Sequence, residues 1–236
     1  MSVIQISALQ KNYGALRPLR MNDLDVKAGE RVAIGGLDAP AAEILVNLVT
    51  GATLPDEGTV RIFGASTADI TDGDAWLASL DRFGIVSSRA VLLEGSTLQQ
   101  NLALPLTLEL DPVPPSIAAQ VAALAAECGI PDDALSRLGG DLRAHVRART
   151  HLARAIALNP QVLLIEHPTA DVDEAGRAAL ADDFAAAIGG RGAAALILTM
   201  DVEFAGRVAH RSLTLQPATG ALVPWKAKRG WLRSGR

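Results

Sequence analysis

Residues 35–44 read GGLDAPAAEI, between a short apolar run at 32–34 and a helical-looking stretch, LVNLVTG. A glycine-bearing turn that leaves a buried strand and opens a helix gathers backbone N–H groups where they can hold a phosphate. In the pattern GxxxxGK[ST] the second glycine lets the backbone approach phosphate, the lysine neutralises the outer phosphates, and the hydroxyl holds Mg²⁺. Those three places here hold Ala41, Ala42 and Glu43. The backbone N–H groups of residues 36–43, with Gly36, Asp38 and Ala39 among them, are what remains for a nucleotide. Losing a charge-assisted contact costs roughly 1.5–3 kcal/mol. A carboxylate about 4 Å from a phosphate charge adds up to ~4 kcal/mol of repulsion at an effective dielectric near 20. Together these weaken nucleotide binding by about three to five powers of ten. Glu43 has two readings, an exposed first-turn carboxylate favoured by the helix dipole or a metal ligand that offsets part of that loss.

The elements that must position this loop follow from periodicity. Alternating apolar residues at Val3, Ile4 and Ile6, and again at Leu24 and Val26, predict antiparallel strands, with Ala28-Gly29-Glu30 as a turn. A buried strand at 31–34 and a helix at 41–51 make half of a βαβ unit. PDEG at 55–58 is a turn, and 59–63 returns as a strand. Helical spacing recurs at 76–80 and 116–128, while DPVPP at 111–115 forbids helix between them. Beyond this helical lobe come a helix at 148–158 halted by Asn159-Pro160, a buried strand VLLI at 162–165, an alanine-rich helix at 175–188 ended by Gly189-Gly190, and a buried strand at 194–199. That alternation predicts an α/β core with a mostly parallel sheet.

Composition narrows the function classes. The 236 residues are 49% hydrophobic, yet no apolar run approaches the roughly 18 to 20 residues that span a bilayer. The opening MSVIQISALQKNYG lacks the features of a secretory leader, and a single cysteine, Cys128, rules out an internal disulfide and a cysteine metal cluster. A cytoplasmic address is the expectation. Residues 1–224 carry 17 basic against 26 acidic side chains, which disfavours nucleic acid as a partner. The basic residues collect instead in WKAKRGWLRSGR at 225–236, where Trp225 and Trp231 interleave with Lys226, Lys228, Arg229 and Arg233. That stretch suits an anionic membrane surface or an acidic partner; a disordered solubilising end is the other reading.

Placed in order, the segments resemble the ATP-binding cassette (ABC) ATPase family, from about Ile4 to about Leu222. LARAIALNPQVLLIEHPTADVD at 152–173 looks like that family's helix, Walker B strand and D-loop without a gap, and PDEG and Gly29-Glu30 match as well. The resemblance implies a P-loop NTPase-like nucleotide-binding domain over 1–224, with an antiparallel β edge and a helical sub-lobe at about 89–147. It places Tyr13 as the aromatic that stacks on adenine, Ser88 at the Q-loop glutamine and Met200 at the switch histidine. Leu142, Arg143, Ala144, His145 and Val146 take the LSGGQ signature. Glu166 replaces the Mg²⁺-side aspartate, keeping a possible metal role beside Glu43, and His167 replaces the glutamate that polarises the attacking water. His145, His151 and His210 lie apart with no ligand spacing, as surface or packing residues.

The function implied is a degenerate ATP-binding subunit of a bacterial-type ABC transporter that docks on a membrane permease and forms a homo- or heterodimer with another ABC-type subunit. It would sit peripherally at the inner face of the membrane, with ATP and Mg²⁺ bound weakly or not at all. A slow ATPase using Tyr13, the loop N–H groups, Glu166 and His167, and a non-transport interaction module on the same fold, stand beside it. The resemblance also implies a groove for a permease helix, expected among Val91, Leu92, Leu93, Leu98 and Leu102 with Ser88 at its floor.

Overall fold

The structure, a computed structural model, describes residues 1–70 and 72–225. Among the described residues, ten strands form two sheets. β1 (Ser2–Lys11) and β2 (Leu19–Lys27) pair antiparallel, with Ile4 opposite Val26 and Ile6 opposite Leu24, so the alternating apolar residues all face inward. β4 (Glu57–Ile62) and the short β5 (Ala65–Ser66) complete this sheet in the order β2-β1-β4-β5. The PDEG turn fixes the start of the loop that carries Tyr13, because Asp56 accepts from the Asn12 N–H at 2.7 Å and from Lys11 at 2.9 Å. That backbone bond, with the lysine, lowers the Asp56 pKa.

The second sheet contains β3 (Arg31–Gly35), β6 (Phe83–Val86), β7 (Val162–Glu166), β8 (Ala194–Leu198), β9 (Arg211–Gln216) and β10 (Ala221–Pro224), in the order β10-β9-β3-β8-β7-β6. All its pairings are parallel except β9 with β10. Every residue of β7 and β8 is buried, as expected of parallel strands covered on both faces. Alternate residues feed two cores. Ile34, Leu164 and Leu196 join α1 (Ala39–Val49) and the antiparallel sheet. Ala33, Leu163 and Ile197 join α5 (Ala144–Ile156), α6 (Glu174–Arg191) and α7 (Val202–Val208). The remaining helices are α2 (Gly73–Leu80), α3 (Leu98–Ala103) and α4 (Pro115–Glu127).

Several boundaries differ from the sequence expectation. α6 runs through Gly189 and Gly190 and stops at Gly192, which takes the left-handed conformation at φ 63°. Arg191 holds that last turn by a forked pair to Glu127 at 2.7 and 2.6 Å, so the double glycine does not end the helix. α5 begins one turn early, at Ala144, with Arg143 before it. The expected groove is also misplaced: Leu92, Leu98 and Leu102 are buried in the lobe's own core, and only Val91 and Leu93 reach the surface. Trp225 does not offer its ring freely to a membrane. It packs so closely on Gly35 that a Cβ there would fall 2.8 Å from the indole, and the Trp225 backbone N–H donates to the Ser212 carbonyl. The rest of the basic segment, 226–236, lies outside the described residues.

Candidate functional site

β3 ends at Gly35, and Gly36 turns the chain at φ 84°. A Cβ on Gly36 would sit 2.7 Å from the Leu215 carbonyl oxygen, so the turn requires glycine. Asp38 then caps α1. Its carboxylate accepts the Ala41 N–H at 3.0 Å, and its carbonyl accepts from Ala42 at 2.9 Å. Pro40 has no N–H to give. The backbone donors that the sequence left for a phosphate are therefore depleted: one is absent, and another is taken by a carboxylate that repels an anion. Ala39 is exposed at the first helical position, whereas Ala41 and Ala42 are buried in the core. The side chain in the lysine position does not face the loop's exterior.

Glu43 is not in the first helical turn and is not free. Its carboxylate accepts from Arg89 Nη1 at 2.7 Å. Arg89 stands in the segment after β6, and its other edge forks onto Glu166 at the end of β7, with Nη2 to Oε1 at 2.6 Å and Nε to Oε2 at 3.3 Å. Ser87 supports the arrangement twice, donating to Glu166 at 3.4 Å and accepting the Arg89 N–H at 3.2 Å. Glu166 is 7% exposed, against 45% for Arg89 and 43% for Glu43. One guanidinium thus joins two carboxylates, one of them buried. Sequence reasoning paired Ser88 with this place and missed its neighbours Ser87 and Arg89. The available signal was chemical: two carboxylates at positions that converge on one ligand call for a cation.

Two pockets flank this network. Tyr13, Gly36, Leu37, Asp38, Ala41 and Met200 line one of about 370 Å³, which also receives Arg17 and Arg20. Burial, with the Asp38 carboxylate, raises the Tyr13 hydroxyl above its ordinary pKa. Ser88, Glu166 and His167 line the other, of about 230 Å³, opposite Leu142, Ala144 and Arg147 at the start of α5. His167 has φ 43° and donates its N–H to the Leu198 carbonyl at 2.8 Å, while its Nε2 is buried without a partner. His151 shares this second cavity; burial, then Arg154 and Arg147, hold its pKa down at about 4. The structure therefore gathers Tyr13, Gly36, Asp38 and Ala41 in one place, links Glu43 to Glu166 through Arg89, and leaves Ala42 in the core.

The sequence profile of ABC transporters matches residues 19–170. The chain belongs to that family. Among curated relatives it is 29% identical over 213 residues to the Fe(3+) ions import ATP-binding protein of Mesorhizobium japonicum, covering 89% of this chain and 58% of that one. It is 33% identical over 187 residues to the phosphonates import ATP-binding protein of Anaeromyxobacter dehalogenans, covering 76% and 37%. With the lipoprotein-releasing system ATP-binding protein of Chromohalobacter salexigens it shares 32% over 154 residues, covering 64% and 63%. The chain thus spans less than two thirds of each of these relatives. Among solved structures, a dimeric ATP-binding cassette in a post-hydrolysis state bound to ADP and Pi has the same fold, with TM-score 0.75 at 20% identity and coverage of 95% and 100%. So does cbiO1 from Clostridium perfringens, part of the ABC transporter complex cbiONQ, with TM-score 0.77 at 18% identity and coverage of 94% and 87%.

ABC domains bind ATP with Mg²⁺ in general. In the present arrangement the metal finds no unpaired pair of carboxylates. Glu43 and Glu166, expected from the sequence as possible metal ligands, already share a guanidinium, and a divalent cation placed between them would meet its positive charge at contact distance. No group of three or more His, Cys, Asp or Glu side chains among the described residues is arranged to hold a metal. α5 starts from Arg143 without a side-chain cap bond.

Proposed function

We propose that this chain is an ABC transporter subunit of the ATP-binding type that docks on a membrane permease and dimerises, with little or no ATP hydrolysis of its own. The observation that carries this reading is the Arg89 guanidinium bound to both Glu43 and Glu166. In the ABC ATPase these two positions serve the metal that bridges protein and phosphate. Here they are satisfied within the chain, and the adjoining lysine position holds buried Ala42. In this reading the pocket lined by Tyr13, Gly36, Asp38 and Ala41 is what remains for a nucleoside, without means to grip the triphosphate.

Docking falls to a groove of about 270 Å³ between β6 and α5, lined by Leu80, Phe83, Ile85, Ala90, Pro105 and Leu158, with Arg154 at its rim. Ile85 and Leu158 are exposed there, as expected of side chains that await an apolar partner. No helix among the described residues is long and apolar enough to cross a membrane. In this reading the permease is a separate polypeptide, and this chain sits against it at the inner face. The relatives carry names for Fe(3+), phosphonate and lipoprotein systems, and the solute of this chain follows from none of them.

Titration of the purified chain with MgATP, paired with a phosphate-release assay, tests the reading. Binding is expected to be millimolar or weaker, with no turnover. A micromolar dissociation constant with turnover that disappears in His167→Ala would overturn it in favour of a slow ATPase that uses Glu166 and His167.

A further inference from the structure

The geometry points to Arg89 as a resident cation that does mechanically what a bound metal would do: it latches α1, the end of β7 and the segment leading into the helical lobe. This deepens the reading of the chain as a non-hydrolysing subunit and rests on it. Three segments far apart in sequence meet at one planar group. Glu43 belongs to the helix that leaves the phosphate loop, Glu166 ends a central strand, and Arg89 opens the stretch that crosses to the lobe.

The crossing stretch is fastened at two further points. Arg154 of α5 donates to the Val91 carbonyl at 3.0 Å. Asn101 of α3, fully buried, accepts the Leu93 N–H at 2.8 Å and donates to the Leu93 carbonyl at 3.0 Å. Residues 89, 91 and 93 are thus tied to the core, to α5 and to α3 in turn. Whatever sets the position of Arg89 sets the path of the segment and, through Asn101, the seat of α3. A bidentate Arg–carboxylate contact specifies geometry as well as charge, and Glu166, buried beneath it, has Ser87 as its other hydrogen-bond partner. The lobe therefore holds its orientation without a nucleotide cycle, and the docking face stays in one arrangement.

A corollary makes the inference testable. Oxygen ligands from two facing carboxylates and a hydroxyl favour a divalent cation, so removing the guanidinium should leave a cation site between Glu43, Glu166 and Ser87. The experiment uses the full chain, Mn²⁺ as the probe read by electron paramagnetic resonance, and hydrogen exchange of residues 87–93. Arg89→Gln is expected to bind Mn²⁺ at least about tenfold more tightly than the parent chain. Amides of 87–93 should exchange at least about tenfold faster in the metal-free variant, and added Mn²⁺ should restore their protection. Glu43→Gln placed on top of Arg89→Gln should abolish the Mn²⁺ gain. If Arg89→Gln fails to fold, Arg89→Lys serves in its place, because an ammonium keeps the charge but cannot fork onto Glu166 and reach Glu43 together; it should speed exchange at 87–93 without creating a Mn²⁺ site. Equal Mn²⁺ binding by the parent chain, or unchanged exchange at 87–93 in these variants, would overturn the latch. None of these readouts involves ATP turnover, so hydrolysis by the parent chain would defeat the functional reading by a different measurement.

Discussion

Two arginine–carboxylate sites divide the molecule into a rear and a front. At the rear, Arg149 of α5 is buried and forks onto Asp183 of α6, with Nε to Oδ2 at 2.8 Å, and its remaining edge donates to the His145 carbonyl at 3.1 Å. At the front, the buried partner is the carboxylate Glu166, and the arginine is nearly half exposed. The rear pair fastens two helices that also share an apolar core. The front group ties the Arg89 segment to α1 and to the end of β7, which already share a core, on the rim where the strands end. An ion pair backed by packing is a stability element. One that ties an irregular segment to a helix and a strand sets the position of that segment and contributes less to global stability.

That distinction is broken or sharpened by four measurements. The largest effect belongs to Arg149→Ala, expected to cost about 2–4 kcal/mol in urea unfolding, since it leaves Asp183 unpaired and opens a gap between α5 and α6. A loss no larger than at the front would erase the contrast. Next is acid. Because His151 is held neutral, with its pKa at about 4, the unfolded chain binds its proton more readily, and stability falls as pH drops from about 6.5 to about 4, by roughly 2.5–3 kcal/mol. His151→Gln should flatten that slope above pH 4, measured as unfolding midpoint against pH. Third, Arg89→Gln is expected to cost only about 1–2 kcal/mol, because water reaches the exposed guanidinium although the Glu166 carboxylate stays buried. The smallest effect is that of Ala42→Lys with Glu43→Ser, where ATP affinity should rise by less than about tenfold. Asp38 keeps the Ala41 N–H in that variant, and Pro40 still has none to offer. A hundredfold gain by equilibrium titration would mean that the loop donors are freer than their hydrogen bonds indicate.

The buried strands were the most legible part of the sequence. VLLI and AALIL are apolar on both faces because helices cover both, and a run of that kind has few other homes. The family resemblance carried the fold and the order of the elements. What sequence did not reveal was which of these residues touch. Arg89 lies 46 positions from Glu43 and 77 from Glu166, and no local period records a contact of that range. Leucine density at 91–102 was misleading for a related reason: an apolar stretch looks the same whether it faces a partner or its own lobe, and burial alone assigned Leu92, Leu98 and Leu102 to the lobe. The Asp38 cap was legible in principle, because an aspartate just before Pro40 is a strong helix start, but its consequence for anion binding depends on which N–H it captures.

The contact between Trp225 and Gly35 gives the molecule an optical handle. An indole lies within van der Waals reach of the glycine at which the central strand becomes the phosphate loop, so its emission is sensitive to any rearrangement there. Comparing the chain with a Trp225→Phe counterpart isolates that signal from Trp76 and Trp231. Small movements of the loop then become visible in solution without an attached dye, whether an added nucleotide, a permease segment or a change of salt provokes them.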